Sequence, residues 1–250
     1  MLELYDVGLA HRLRHITMKI EEGSLVHFVG PNGSGKSSLI SVMSGLEPFN
    51  GQLHCNGERI DKWSLSELAT YRGYLAQYSR PQFDLSVLHY INTVIHRLNV
   101  SSETAVREVL AILDDFLHFS HLFSSRVNQL SGGEWQRVRL ACIFLQAWPT
   151  INPNMRYLLL DEPATGLDIY HQKAVTKITQ QLTRAGLTVV VVSHDLNDSL
   201  MNADRVAVLT NSKLYAFGAS EHVLTPQTLH DVFNVEAKLH QVASRSLLVW

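Results

Sequence analysis

The chain has 250 residues, 46% hydrophobic and 18% charged, a composition that supports a packed core and excludes a disordered chain. Lys and Arg number 21 against 23 for Asp and Glu, and the formal net charge of -2 is too small to draw the molecule to nucleic acid or anionic lipid by bulk attraction. Cys55 and Cys142 are far apart and match no pairing pattern, which predicts reduced thiols rather than a disulfide framework.

The opening stretch MLELYDVG carries acidic residues where an export signal needs a basic and then an apolar region. Apolar runs such as TVVVV fall far short of the roughly 18 to 20 residues of a membrane helix, so contact with a membrane is expected only through another protein. Short strands are expected at LELYDV, ITMKI and LVHFVG, and the glycine-rich GPNGSGKSS then opens a helix running through LISVMSGL. GQLHCNGERI reads as a hairpin turning at Asn56 and Gly57. Residues 87 to 123 contain no glycine, and their apolar positions recur at three and four, which predicts a separate helical lobe. Beyond residue 155, strands YLLLDEP, LTVVVVS and RVAVL alternate with helices over 168–184 and 195–202, the rhythm of a parallel sheet. No internal repeat or long heptad run is visible.

Three places carry phosphate chemistry. Residues 30–37 satisfy G-x-x-x-x-G-K-[ST], in which glycines at 30, 33 and 35 let backbone N–H groups face phosphate oxygens. Lys36 then reaches the terminal phosphates, and Ser37 offers a hydroxyl to magnesium. Asp161 and Glu162 end a buried strand, where parallel sheets bind ligands, with Asp161 placed to hold magnesium through water and Glu162 to polarise an attacking water. His194 follows another buried strand and can report a terminal phosphate. Ser193, His194 and Asp195 are neighbours whose side chains alternate faces, so they form no local nucleophile relay. His118 and His121, three apart on an expected helix, lack a third zinc-type ligand and read as packed or solvated. Gln77 alone reads as a polar loop residue. LSGGEWQRVRLA, residues 130–141, is a second glycine-rich helix start, apart from the first.

Taken in order, GPNGSGKSS, the glutamine of YLAQ, LSGGEWQRVRLA, YLLLDEP, ATGLD and SHD resemble the nucleotide-binding subunits of ATP-binding cassette transporters over essentially the whole chain. The resemblance implies an α/β fold: a P-loop NTPase cassette with a mainly parallel core sheet, an antiparallel β subdomain and a helical subdomain. It implies one ABC ATPase domain spanning 1–250, with the helical subdomain at about 79–140 inserted in the RecA-like core. It also implies ATP and Mg2+. Nucleotide contacts fall on Gly30, Pro31, Asn32, Gly33, Ser34, Gly35, Lys36, Ser37 and Ser38. Ser131, Gly132 and Gly133 serve ATP on the P-loop of a second copy packed head to tail, which gives the second glycine motif its purpose. Glu162, His194 and Gln77 are the implied catalytic residues; Ser37, Gln77 and Asp161 face the metal. Asp168 belongs to the loop joining the two sites. Where the family usually has an aromatic residue against adenine, VGLAHRLRHI has none, which leaves His11 or an arginine there.

The implied partners are a second copy of the chain, a polytopic permease dimer and, indirectly, a periplasmic substrate-binding protein, with no nucleic acid and no direct membrane insertion. The implied location is the cytoplasmic side of a bacterial inner membrane. LSGGEWQRVRLA, LQAWPTINPNMRY and SHDLNDSL look most similar to the branch serving cobalamin import, while heme and iron-siderophore importers share the SGGE or SGGQ core. A soluble cassette with no transport role is the remote alternative. Cassettes acting on ribosomes normally come in pairs in one chain, and DNA-repair ATPases need a long helical insertion.

Overall fold

The structure is a computed structural model and describes residues 1–77, 84–98, 102–242 and 245–250. Strands β1 (Leu2–Leu9), β2 (Leu13–Ile20) and β3 (Leu25–Val29) precede helix α1 (Lys36–Met43). Strand β4 (Asn50–Cys55) turns into β5 (Glu58–Arg59) at Asn56 and Gly57, both left-handed with φ of 51° and 84°, as a two-residue hairpin turn requires. A capping box between Ser64 and Glu67 starts α2 (Leu65–Tyr71), which leads into β6 (Arg72–Leu75). Helices α3 (Val87–Arg97), α4 (Glu103–Leu117) and α5 (Gly132–Ala147) follow. Then β7 (Tyr157–Asp161), α6 (Ile169–Arg184), β8 (Thr188–Val192), α7 (Leu196–Asn202) and β9 (Arg205–Thr210) alternate. The chain closes with β10 (Lys213–Ala219), α8 (Ser220–Val223), α9 (Pro226–Phe233), β11 (Lys238–Val242) and β12 (Arg245–Val249).

Among the described residues the strands form three sheets. The core sheet has the order β10-β9-β3-β8-β7-β6 and is parallel except where β10 pairs antiparallel with β9. Its strands β3, β8 and β7 are buried at every residue, as strands with apolar residues on both faces must be. An antiparallel sheet β2-β1-β4-β5 packs its apolar face, including Leu4, Ile16 and Leu53, against Phe28 and α1. Strands β11 and β12 form a separate hairpin, pinned to α7 by Asn197, which bonds both N and O of Leu248.

Helix α4 buries Val106, Val109, Leu113 and Leu117, a three-and-four stripe that packs on α5, and each such aliphatic burial stabilises by roughly 1.5–3 kcal/mol. The expectation that His118 and His121 share a helix is not met. Asp114 accepts from the N–H groups of Phe119 and Ser120, both at 2.7 Å, and α4 ends at Leu117. His118 is its left-handed cap, with φ 47°, while His121 lies in a 3-10 turn over Ser120–Leu122. The His118 ring stacks on Tyr170 at 5.2 Å, and among the described residues no cluster of three metal-type ligands exists. Among the same residues, no helix is long and apolar enough to cross a membrane.

Candidate functional site

Adjacent strands β3, β8 and β7 end on one edge of the core sheet, the edge where parallel sheets bind ligands. The loop after β3 holds Gly30 to Gly35, β7 ends in Asp161 and Glu162, and His194 follows β8. A cavity of about 810 Å³ lies over this edge, lined by Asn32 to Ser38 together with Gln77, Glu162 and His194.

The floor of the cavity is the start of α1. Gly35 caps it in a left-handed conformation, with no side-chain cap and no acidic residue in the first turn, so its first N–H groups and the positive end of its dipole are left for an anion. Glycine is obligatory at Gly30, where φ is 150° and a Cβ would lie 2.1 Å from the carbonyl oxygen of Leu209. At Gly33 the constraint within the chain is the positive φ of 77°, because a Cβ there would meet no protein atom within 4 Å. The buried Lys36 ammonium donates to the carbonyls of Gly30 at 2.7 Å and Pro31 at 3.0 Å. Burial lowers the Lys36 pKa, opposed by Glu162 and Asp161. The Ser34 hydroxyl is buried without a partner among the described residues.

Ser37 donates its hydroxyl to Asp161 Oδ1 at 3.1 Å. Asp161 is 2% exposed, and burial pushes its carboxyl above the usual range although the Ser37 bond opposes this. The buried Asp161 carboxylate bonded to the Ser37 hydroxyl, which lines the cavity together with the Gln77 amide, gives a hard oxygen donor set. It fits a small divalent cation that keeps most of its ligands as water and phosphate.

Glu162 has φ 50°, a left-handed conformation costing a non-glycine residue of order 1 kcal/mol, and this sharp end to β7 aims its carboxylate into the cavity. His194 Nε2 donates to its Oε1 at 2.6 Å and Thr165 donates to its Oε2 at 3.2 Å. Burial pushes the Glu162 carboxyl up, but hydrogen bonds from His194, Gln77 and Thr165 outweigh it and hold the pKa below the usual value, so the group is a carboxylate at neutral pH.

The second glycine-rich helix start, LSGGEWQRVRLA, lies elsewhere. Ser131 is the N-cap of α5, accepting from Glu134 N at 3.3 Å while Glu134 Oε2 accepts from Ser131 N at 2.8 Å, and neither it nor Gly132 and Gly133 line the P-loop cavity of the same chain. The Ser131 hydroxyl also bonds the Glu134 carboxylate and, with the Ser131 backbone N–H, holds its pKa below the usual range. Further along α5, the buried Gln136 donates to the carbonyl of Pro163 at 2.8 Å. Arg139 donates to Gln136 Oε1 at 2.8 Å and to the carbonyl of Ala76. The helix is thereby tied to the segments carrying Glu162 and Gln77. Asp168 caps α6, accepting from the backbone N–H of His171 at 2.9 Å.

His11 and Arg12 line the cavity rim, joined by Ser212, which motif reading does not single out. Arg14 N donates to the carbonyl of Ser212 at 2.7 Å, and the Ser212 hydroxyl donates to the carbonyl of His11 at 3.2 Å, so the β9–β10 turn holds the β1–β2 turn over the P-loop. The Asn-Ser pair of that turn is a readable hairpin signal, but its distant partner is not. Arg12 pairs with Glu47 at 3.1 Å.

The family model described as ABC transporter matches residues 13–165. The vitamin B12 import ATP-binding protein BtuD of Vibrio atlanticus is 37% identical over 257 residues, covering 100% of both chains. That of Photobacterium profundum is 37% identical, covering 100% of this chain and 99% of its own. Among solved structures, an ATP-binding subunit of an ABC transporter superposes with a TM-score of 0.79 at 22% identity, covering 89% of this chain and 91% of its own. A dimeric ATP-binding cassette in a post-hydrolysis state with ADP and Pi gives 0.72 at 23% identity, covering 88% and 99%.

Proposed function

The chain belongs to the ABC transporter family, and on that footing we propose that it hydrolyses ATP to drive cobalamin import through a permease dimer. The observation that carries the substrate is full-length similarity to relatives named for vitamin B12 import. The chemistry is supported by the uncapped start of α1 facing Glu162 across one cavity.

In this reading the α1 N–H groups and Lys36 hold the β- and γ-phosphates, with contacts spread over Gly30 to Ser38. Lys36 gives up its Gly30 and Pro31 carbonyls to do so. Ser37, Asp161 and Gln77 would hold Mg2+, which would neutralise developing phosphate charge. Glu162 takes the proton of the attacking water, oriented with Gln77, and His194 turns its Nε2–H from Glu162 to the terminal phosphate. His11 or Arg12 meets the adenine.

Ser131, Gly132 and Gly133 close over the nucleotide of a second copy; their place outside the chain's own cavity supports this. Residues 1–250 work as one ATPase unit whose helical lobe, about 79–140, moves with Gln77; 79–83 and 99–101 lie outside the described residues. The permease docks at 77–86, of which 78–83 lie outside them. The chain then sits peripherally on the cytoplasmic face of a bacterial inner membrane, with a periplasmic binding protein delivering cargo to the permease.

The test is to co-purify the chain with a candidate permease, reconstitute the complex in vesicles and measure ATP-dependent uptake of cobalamin, heme and a ferric siderophore. Cobalamin uptake is expected. Uptake of heme or siderophore in its place would assign the chain to that importer class.

A further inference from the structure

His27 is the one polar side chain in the P-loop strand β3, whose alternation turns Leu25, His27 and Val29 to one face of the sheet and Val26 and Phe28 to the other. It is 4% exposed, paired in register with Val191 on β8 and Val206 on β9. The usual occupant of such a position is aliphatic, and a buried imidazole needs a partner. It has one: Nδ1 lies 2.9 Å from the hydroxyl oxygen of Ser199 on α7, itself fully buried.

The direction of that bond follows from counting protons. The Ser199 hydroxyl has a single hydrogen, which it donates to the carbonyl of Asp195 at 2.8 Å, one helical turn back. It can therefore only accept from His27, so Nδ1 carries the proton and the ring is the neutral Nδ1–H tautomer. Burial drives the His27 pKa down to about 4, opposed by the nearby Asp195 charge, in agreement with a neutral ring. The Asp195 carbonyl also accepts the Ser199 backbone N–H at 3.0 Å. Asp195 is the N-cap of α7 and the residue directly after His194. Ser193, on the other side of His194, donates its backbone N–H to the carbonyl of Phe28 at 3.0 Å. His194 is thus flanked by two ties to β3, one through backbone and one through the His27 side chain. His27, Glu162 and His194 also border one cavity of about 480 Å³ between α6 and α7.

We propose that His27, acting through Ser199 and the Asp195 carbonyl, is a positioning residue for His194: it fixes the residue after His194 to the strand that carries the P-loop, setting the distance between His194 and the phosphates held there. The bridge touches neither nucleotide nor metal, so it acts on turnover and not on nucleotide affinity. The inference rests on the phosphate-facing role of His194 proposed above.

Two substitutions at His27 separate positioning from packing. His27→Asn keeps an N–H donor where Nδ1 stands but loses ring volume; His27→Phe keeps the ring and loses the donor. Steady-state ATP hydrolysis by the full chain is measured as kcat and KM, beside thermal unfolding. Positioning predicts that His27→Phe and Ser199→Ala lower kcat about tenfold with KM for ATP unchanged, while His27→Asn and Ser199→Thr stay within about threefold of the parent. A packing role predicts the opposite order, with His27→Asn the slower enzyme, and that order would overturn the proposal. So would a parental kcat in folded Ser199→Ala, a variant that removes one oxygen and tests the bridge even where His27→Phe does not fold. The route through His194 is tested in a His194→Ala background, where Ser199→Ala should cost nothing further; an undiminished second loss refutes that route. If His194→Ala alone hydrolyses ATP at the parental rate, the role of His194 fails first, an outcome distinct from a failure of the bridge.

Discussion

The buried neutral His27 should make the fold sensitive to mild acid. Its pKa is held near 4 in the folded chain against 6.5 for a free imidazole, because burial penalises the cation more than the Asp195 charge favours it. Above pH 6.5 the ring is neutral in both states and contributes no pH dependence. As pH falls below 6.5 the unfolded chain binds a proton that the folded chain refuses, so stability drops until the pH passes through the folded value near 4. From those two values the loss is about 2 kcal/mol at pH 5 and approaches about 3 kcal/mol below pH 4, against a typical domain stability of about 5–15 kcal/mol. The assay is urea unfolding of the parent chain and His27→Asn at about pH 7.5 and pH 5, reading midpoint and slope. Carboxylates contribute equally to both proteins, so the parent should lose about 2 kcal/mol more than the variant between the two conditions. Equal losses would mean that His27 is charged or solvated in the folded chain, and would refute the tautomer assigned to it.

Glu162→Gln keeps the shape and removes the base, so hydrolysis should fall by about a hundredfold or more while ATP binding, measured by equilibrium dialysis, is retained; near-parental turnover would remove Glu162 from the base role. Gly30→Ala places a Cβ 2.1 Å from the backbone oxygen of Leu209, and loss of ATP binding with a lowered melting temperature is expected. Parental melting and binding would contradict the close approach. Lys36→Ala and Ser131→Arg should each inactivate a homodimer, but a purified mixed dimer with one change per chain should keep one working site. Activity confined instead to a parent chain paired with the double variant would show that each chain builds its own site.

Features that depend on a few neighbouring residues were readable from the chain. Asn56-Gly57 turns its hairpin because both residues must take positive φ, and LVHFV, YLLLD and TVVVV become fully buried parallel strands because runs with apolar residues on both faces need cover on both. The P-loop, the Asp161-Glu162 pair and His194 meet because each follows such a strand, and parallel strands bring their C-terminal ends to one edge. Periodicity also located the helices of the lobe but not the end of α4, where the Asp114 side chain competes for the N–H groups of Phe119 and Ser120 and takes His118 out of the helix.

Contacts between distant segments were decided only by tertiary packing. Ser212 reaches the nucleotide cavity because its turn lies on the carbonyl of His11, 201 residues earlier. The ties from Gln136 to Pro163 and from Arg139 to Ala76 need α5 laid across the ends of β6 and β7, which the spacing of LSGGEWQRVRLA does not encode. His27 is the clearest instance. Within LVHFV it is one polar residue in a buried strand, and its proton, its tautomer and its link to His194 exist only because α7 brings Ser199 across 172 residues to meet it. Sequence pattern reports which face a side chain takes, since that follows from the local period of the backbone; which atom it meets there depends on how separate elements pack, and no local period carries that information.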